Sequence, residues 1–191
     1  MVSDNPKHQW WNRLRDVESS FVTNKNDTEK FVYYEGPTKS ESPLKIDFER
    51  PKITFTPKPI FPNSSLENGI AGGTPKAPRK AFYIRVAGEE VSATMLEIRG
   101  QETFDISDTQ MMDRESTRAA MLKTLCDSGL NTSEANGLLD CRGPQFFETT
   151  GERIIFLLHR NEYDAICPLV VRPKPTELER VGLVLTELEV N

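Results

Sequence analysis

The stretch that decides the fold is the apolar run Arg153-Ile-Ile-Phe-Leu-Leu-His159, which charged residues flank. Its unbroken apolar character is typical of a strand that is covered on both faces. Two more apolar segments follow, Leu169–Arg172 and Val181–Leu188, and we expect all three to form an antiparallel meander. The polar residues between the first two strands would then form a hairpin tip, which Arg160 and Asp164 close with an exposed ion pair.

Upstream, further strands are predicted by β-branched and aromatic residues. Ala81–Val86 and Ser92–Ile98 flank the turn residues Gly88–Glu90, a pattern that is typical of a β-hairpin. Glu29–Glu35 is rich in aromatic residues and ends before a Gly-Pro pair, so it is also a strand candidate.

Two short segments in a proline-containing region also alternate as strands do. Leu44–Phe48 and Ile53–Phe55 place every second apolar residue on one face, which is typical of half-buried strands. Pro51, Pro57 and Pro59 interrupt this region. Because proline cannot donate a ladder hydrogen bond, we expect these strands at sheet edges.

The spacing changes to a helical period between the middle and the final strands. A first helix is predicted over residues 113–128, with Gly129 as its C-terminal stop. Thr132 is the expected N-cap of a second helix, which runs to about Arg142 and is broken by Gly143-Pro144. Two helices with so short a connection form an αα-hairpin. The pair Phe146-Phe147 is expected to fill the junction with the sheet.

These elements predict an α+β fold built on an antiparallel sheet of about six to eight strands with the αα-hairpin inserted. Residues 29–191 form the single domain, and residues 57–80 form a long Pro/Gly-rich loop within it. Residues 1–28 are expected to be an N-terminal extension. A short amphipathic helix in it is predicted by the helical spacing of Trp10, Leu14, Val17 and Phe21.

Charge and composition exclude several classes of function. The chain has 191 residues and a net charge of −5, and residues 81–191 hold eleven Lys and Arg against nineteen acidic residues. This balance argues against a nucleic-acid partner, which needs clustered cations. No apolar run of about 18 residues predicts a membrane span. Without a signal-peptide pattern, the default expectation is a soluble, cytoplasmic protein; its oligomeric state stays open.

Three cysteines, Cys126, Cys141 and Cys167, are present without any CxxC pair. The odd number and the spacing favour reduced thiols over a disulfide framework or a zinc site, so no metal and no cofactor are expected. Regulatory thiol chemistry at Cys126 and Cys141 is a minor alternative. Unequal or fast alkylation of these thiols would distinguish it.

The sequence carries no catalytic signature, so the first functional hypothesis is a non-enzymatic binding or protein–protein interaction module. Aromatic residues and arginine are the usual anchors of interfaces. The alternative is a hydrolase or transferase with a sheet-end site around Glu35, His159 and Asp164, to which Cys167 could add a nucleophile. The residues expected at the binding surface are Trp10, Trp11, Tyr33, Tyr34, Arg160 and Asp164.

Several short motifs of the chain form a combined pattern: Tyr33-Tyr34-Glu-Gly36, Leu130-x-x-x-Glu134-Ala135, Gly151-x-Arg153, Leu157-Leu158-x-Arg160, Asp164, Pro168-Leu169, Pro173-x-Pro175 and Arg180-Val181. Together they resemble an uncharacterised bacterial domain family found in planctomycetes, mainly over residues 130–185. The chain departs from the family at His159, where proline is expected, and at Cys167, where leucine is expected. The family has no established activity, so the resemblance carries over no catalytic residue.

Overall fold

The computed structural model describes residues 14–23, 28–30, 41–58 and 77–189. The elements that lie wholly within these ranges are nine strands, three α-helices and one 3-10 helix (Ile106–Asp108). In chain order they are β1 (Val22–Thr23), β2 (Thr28–Glu29), β3 (Leu44–Glu49), β4 (Lys52–Pro57), β5 (Arg79–Ala87), β6 (Glu90–Ile98), β7 (Glu102–Asp105), α1 (Arg114–Asp127), α2 (Thr132–Phe147), β8 (Gly151–Leu157), α3 (Arg160–Ile166) and β9 (Leu183–Leu188).

The strands form two main antiparallel sheets. The central sheet has the order β6-β5-β8-β9, and the outer sheet has the order β3-β4-β7. The two-residue strands β1 and β2 pair with each other. The predicted α+β class is therefore confirmed, with seven strands shared between two sheets and the αα-hairpin inserted between β7 and β8.

The central sheet is covered on both faces. Phe82 and Ile155 are paired across β5 and β8 and pack against Met121 of α1 and other helical residues. Their neighbours Tyr83 and Ile154 point to the opposite face, where they pack with residues of the outer sheet. The expected burial of the 153–159 run on both faces is thus confirmed, although the strand itself spans Gly151–Leu157.

The hairpin of β5 and β6 matches its prediction. Ala87 pairs with Glu90, which leaves Gly88 and Glu89 as a two-residue turn. Gly88 has a φ of +63°, a conformation that tight hairpin turns require and that glycine adopts without steric cost. This turn fixes the register of the two longest strands.

The alternating strands β3 and β4 are confirmed. β3 lies at an edge of the outer sheet as expected, but the edge position expected for β4 is wrong. β4 is the central strand of the outer sheet, between β3 and β7. β7 pairs only with Lys52–Phe55 of β4. Pro57 lies beyond that pairing and Pro51 lies before the strand, so neither removes a donor that β7 needs.

The αα-hairpin is present, with different boundaries at its second helix. Asp113 caps α1 by accepting a hydrogen bond from the backbone N–H of Ser116, and Gly129 ends the turn after α1 with a φ of +113°. The N-cap of α2 is Asn131 rather than Thr132. Asn131 and Glu134 exchange reciprocal hydrogen bonds of 2.9 Å, an arrangement known as a capping box.

The predicted break of α2 at Gly143-Pro144 is wrong, because the helix continues to Phe147. Phe146 and Phe147 are both buried in the core, with their rings edge-to-face and 6.0 Å apart, as expected for the junction. Arg153 of β8 donates hydrogen bonds to the carbonyl groups of Gln145 and Phe146. These tertiary contacts stabilise the last turn despite the proline.

The C-terminal meander differs most from its prediction. The expected hairpin tip is helix α3, and Leu169–Arg172 forms no strand. β9 pairs directly with β8, from Leu157 opposite Leu183 to Glu152 opposite Leu188. The chain reaches β9 through α3 and an irregular segment instead of through a middle strand.

Near the N-terminus, Leu14 and Arg15 are helical, but the chain leaves the helical conformation at Asp16, and Phe21 is 66% exposed. The helix prediction through Phe21 is therefore wrong. Val17 packs against α2, where a Cβ added to Gly137 would lie 2.7 Å from Val17 Cγ2.

Several predicted features lie wholly or partly outside the described residues. Of the predicted 57–80 loop, Pro57 belongs to β4 and residues 79–80 belong to β5, while residues 59–76 are outside. Trp10, Trp11, Tyr33, Tyr34 and Glu35 are outside as well. None of the described helices is long and apolar enough to cross a membrane.

Candidate functional site

Helix α3 follows β8 and is attached to the sheet by a buried ion pair. Glu162 accepts a hydrogen bond of 2.9 Å from the backbone N–H of His159, the residue before the helix. Its two carboxylate oxygens also accept hydrogen bonds of 2.8 and 2.5 Å from Arg79 at the start of β5. One glutamate therefore both caps α3 and ties it to a strand far away in sequence.

Arg79 is the buried partner, with 6% of its side chain exposed. It donates a further hydrogen bond of 2.8 Å to the carbonyl of Leu157, and its guanidinium group lies 5.3 Å from the centre of the Phe156 ring. A buried guanidinium needs this set of partners because an isolated charge is costly to remove from water. The pair is thus a structural anchor of α3.

Arg160 and Asp164, predicted as a pair at a hairpin tip, do form an ion pair, but within α3. Arg160 Nε lies 2.8 Å from Asp164 Oδ2, four residues along the helix. The other side of the Arg160 guanidinium group donates to the carbonyl of Leu178, also at 2.8 Å. Arg160 therefore connects the helix to the irregular segment that follows it.

Arg180 fastens the other end of this segment. It donates hydrogen bonds of 2.6 Å to Asp164 and to the carbonyl of Cys167. Its guanidinium group also stacks 4.3 Å from the centre of the Tyr163 ring, and only 6% of its side chain is exposed. The segment between Cys167 and Arg180 is consequently closed at its base.

The electrostatics of Asp164 follow from these two arginines. Partial burial would raise the pKa of its carboxyl group, but hydrogen bonds from Arg160 and Arg180 outweigh that effect and lower it. Both oxygens are engaged, one by each arginine. Asp164 is thus an ionised structural acceptor at neutral pH.

His159 is half-buried at the junction of β8 and α3. Desolvation by burial lowers the pKa of its imidazole, and the nearby positive charge of Arg79 lowers it further, while Glu162 acts in the opposite direction. Among the described residues, His159 makes no hydrogen bond to Asp164 or Cys167. The sheet-end catalytic site, which also needs Glu35 outside those residues, remains a hypothesis.

The three cysteines are all half-buried, and none forms a disulfide. In the part of the chain that the structure describes, no three His, Cys, Asp or Glu side chains are grouped so that they could hold a metal ion.

The segment closed by Arg160 and Arg180 carries most of the exposed large hydrophobic side chains among the described residues. We call residues 168–178 the apolar loop. Among the described residues, seven large hydrophobic side chains are exposed, and four of them lie in this loop: Leu169, Val170, Val171 and Leu178. Leu169, Val170 and Val171 are consecutive, so three of these exposed hydrophobic side chains are concentrated in one short stretch, which we call the patch.

A second polar cluster, around the buried Glu152, connects the sheets. Glu152 accepts a hydrogen bond of 2.6 Å from the hydroxyl of Tyr83 and pairs with Arg50. Burial raises the pKa of Tyr83, against the opposing charges of Arg50 and Arg85. These groups bridge the central sheet and the turn between β3 and β4.

Sequence reasoning missed the residues that organise the site. The Arg79–Glu162 pair leaves no sequence signal, since the partners are 83 residues apart and both types are common on surfaces. Arg180 gives a weak signal, as a charge at the start of an apolar segment. Comparison of the chain with protein families, with curated proteins and with solved structures finds no match.

Proposed function

We propose that this chain is a non-enzymatic protein–protein interaction module and that the apolar loop is the centre of its contact surface. The observation that carries the proposal is the exposure of Leu169, Val170 and Val171, with Val170 being 78% exposed. Contiguous exposed apolar patches on soluble domains typically mark binding surfaces.

The loop is also restrained before any partner arrives. Arg180 holds the carbonyl of Cys167 at one end, and Arg160 holds the carbonyl of Leu178 at the other. Pro168, Pro173 and Pro175 fix further backbone angles between these anchors. A loop that is already ordered loses less conformational entropy on binding, which favours affinity.

The charges next to Leu169–Val171 favour acidic groups on the facing part of the partner. Arg172 and Lys174 are exposed and lie just after these apolar residues. The exposed acidic residues Glu177 and Glu179 lie further along, on either side of Leu178. Basic groups at the border of an apolar patch direct the encounter with a partner of opposite charge. The predicted contact residues Trp10, Trp11, Tyr33 and Tyr34 remain candidates for an extension of this surface.

The test compares two aspartate substitutions at exposed apolar positions. Val170→Asp places a charge at the centre of the patch, and Met95→Asp places the same charge on β6, where Met95 is also exposed. The wild-type chain and both variants would be used for affinity capture from native lysate, followed by quantitative mass spectrometry. Central interface residues commonly contribute about 2 kcal/mol or more, so we expect Val170→Asp to reduce partner recovery severely.

The expected result is a partner that is captured by the wild type and by Met95→Asp and lost with Val170→Asp. Circular dichroism and urea unfolding must show that Val170→Asp is folded. Equal recovery by all three proteins, or recovery by none, would contradict the apolar loop as the contact surface.

A further inference from the structure

The free edge of the central sheet lies directly after the apolar loop. β9 is the last strand of that sheet, and within the described ranges no strand pairs with its outer side. The backbone N–H of Leu158 donates to the carbonyl of Gly182 at 2.9 Å, which fixes the direction of every later peptide group. Because hydrogen-bonded and non-hydrogen-bonded pairs alternate, Leu183, Leu185 and Glu187 direct their N–H and C=O groups outward.

Side chains on both faces of β9 are apolar. Leu183 and Leu185 flank the cluster on the helical face, and Val184 and Leu188 flank the cluster on the face of the outer sheet. All four are only half-buried. β9 therefore resembles an interior strand, because its side chains are apolar on both faces and part of their surface is left uncovered at the edge of the sheet.

The other edges of the two main sheets have protective features. β3 carries the exposed charges Lys45, Asp47 and Glu49, and β7 is only four residues long. The outer side of β6 is bridged by Met112, which exchanges two backbone hydrogen bonds with Ala93. Natural proteins use such charges, short strands and coverings to prevent pairing at edges. Among the described residues, no such feature protects Leu183–Thr186 of β9.

We propose that the outer edge of β9 binds an extended peptide segment of the partner as a fifth strand of the central sheet. The inference rests on the proposed function and specifies the form in which the partner binds. Main-chain groups of Leu183, Leu185 and Glu187 supply the hydrogen bonds, and the half-buried side chains beside them give alternating apolar contacts. The partner segment is therefore extended, lacks proline, and is apolar at alternate positions.

Charge favours a different protein over a second copy of this chain as the occupant. Residues 181–189 carry two carboxylates, Glu187 and Glu189, and no basic residue. Arg180, immediately before them, is buried against Asp164. A second copy lying antiparallel along β9 thus offers no complementary charge, whereas a segment with Lys or Arg near one end does.

The test uses a displayed library of random nine-residue peptides selected on the full chain. Selected peptides are then measured against Glu187→Pro and Glu187→Ala. Both variants lose the carboxylate that pairs with Arg153, but only proline removes the outward N–H. The N–H of Glu187 points away from β8, so proline removes no hydrogen bond of the sheet. Thr186, the residue before it, is extended, which is the conformation that a following proline favours, so the sheet should persist.

We expect the selected peptides to alternate in apolar character and to bind Glu187→Pro at least tenfold more weakly than Glu187→Ala. In the wild type, a saturating peptide should slow amide hydrogen exchange at Leu183 and Leu185. This second measurement tests the proposal even if the proline variant fails to fold.

The remaining outcomes would overturn the inference. Peptides that lose affinity with Val170→Asp but bind both Glu187 variants equally would contradict the strand addition and leave the proposed function intact. Failure to select any peptide would also contradict it. A wild-type dimer in sedimentation that Glu187→Pro alone dissociates would assign the edge to a second copy instead.

Discussion

Arg180 lies 2.6 Å from Asp164, although sixteen residues separate them. Between these two residues the chain finishes α3, forms the apolar loop and returns toward β9. The contact therefore closes a loop whose own residues form no helix or strand. Because Arg180 also bonds the carbonyl of Cys167, a single guanidinium group determines where the loop begins.

Arg180→Ala should open the apolar loop without unfolding the sheets. A hydrogen bond to a charged group contributes roughly 1.5–3 kcal/mol, so local opening should become at least about tenfold more frequent. Cleavage by thermolysin measures this, since prolines after Arg172 and Lys174 block trypsin. The control is Arg172→Ala, an exposed arginine in the loop itself. Equal cleavage of the two variants would refute the closing role of Arg180.

Removing one partner of the buried pair of Arg79 and Glu162 should lower the free energy of unfolding more than replacing both partners with apolar residues. Glu162→Ala leaves the Arg79 charge without its partner, and such losses reduce the free energy of unfolding by about 3–5 kcal/mol. The double variant Arg79→Met/Glu162→Leu should recover much of this, because apolar residues can replace a buried pair. Urea unfolding followed by circular dichroism measures both.

Asp127→Ala is the control for that experiment. It removes the solvent-exposed ion pairs of Asp127 with Lys123 on α1 and with Lys80 on β5, and it should change stability little. If Glu162→Ala were as mild as Asp127→Ala, the pair would not anchor α3.

Stability should fall as the solution is acidified from about pH 7.5 to pH 5. The pKa of His159 is lower in the folded chain than its ordinary value of 6.5, so the unfolded state binds the proton more readily. The contribution of His159 to the free energy of unfolding is therefore complete above pH 6.5, and it is lost as the pH falls toward the pKa of His159 in the folded chain. The pKa of Asp164 is also lowered, but its contribution to stability is lost only as the pH falls below the ordinary value of 3.8, which is outside this pH range.

His159→Asn is the matched variant, because asparagine can occupy the N-cap of α3 and does not titrate. Urea unfolding at several pH values should give a smaller slope for this variant than for the wild type. Identical slopes would assign the pH dependence to other groups.

Two glycines of α2 should respond differently to alanine. Apart from its two chain neighbours, a Cβ at Gly143 meets no atom within 4 Å, but Pro144 directly follows and its ring crowds the Cβ of a helical residue before it. The gain of about 0.5–1 kcal/mol from helix propensity is therefore offset, and Gly143→Ala should change the free energy of unfolding little. A Cβ at Gly137 would lie 2.7 Å from Val17, so Gly137→Ala should displace the N-terminal segment and lower stability. Thermal unfolding of the two variants measures the contrast, and an equally small effect of both would mean that Val17 yields easily.

Local signals predicted the elements whose stability is local. Gly88 and its alternating neighbours identified the β5–β6 hairpin, and Asp113 with Gly129 bounded α1. The end of α2 could not be predicted, because Arg153 and the packing of Phe146 and Phe147 outweigh the proline. Long-range packing of this kind is not encoded in the spacing of nearby residues.

The same distinction explains the candidate site. The pairing of Arg160 with Asp164 follows from their four-residue spacing, which suits a helix as well as a turn. The helix itself depends on Glu162 meeting Arg79, and on Arg180 stacking on Tyr163. Those partners are brought together only by the completed sheet, so their effect cannot be predicted from nearby residues. The local apolar pattern alone predicts a strand at Leu169–Arg172.

The strand order of the central sheet has a consequence for biosynthesis. β5 is complete at Ala87, but its second neighbour, β8, begins only at Gly151. During synthesis on the ribosome, the β5–β6 hairpin therefore emerges with an open apolar edge. This edge stays unpaired until the αα-hairpin and β8 have been synthesised. Exposed strand edges of this kind favour aggregation in nascent chains. Slower translation between residues 87 and 151 should consequently reduce the soluble yield, and chaperones that shield nascent strands should restore it.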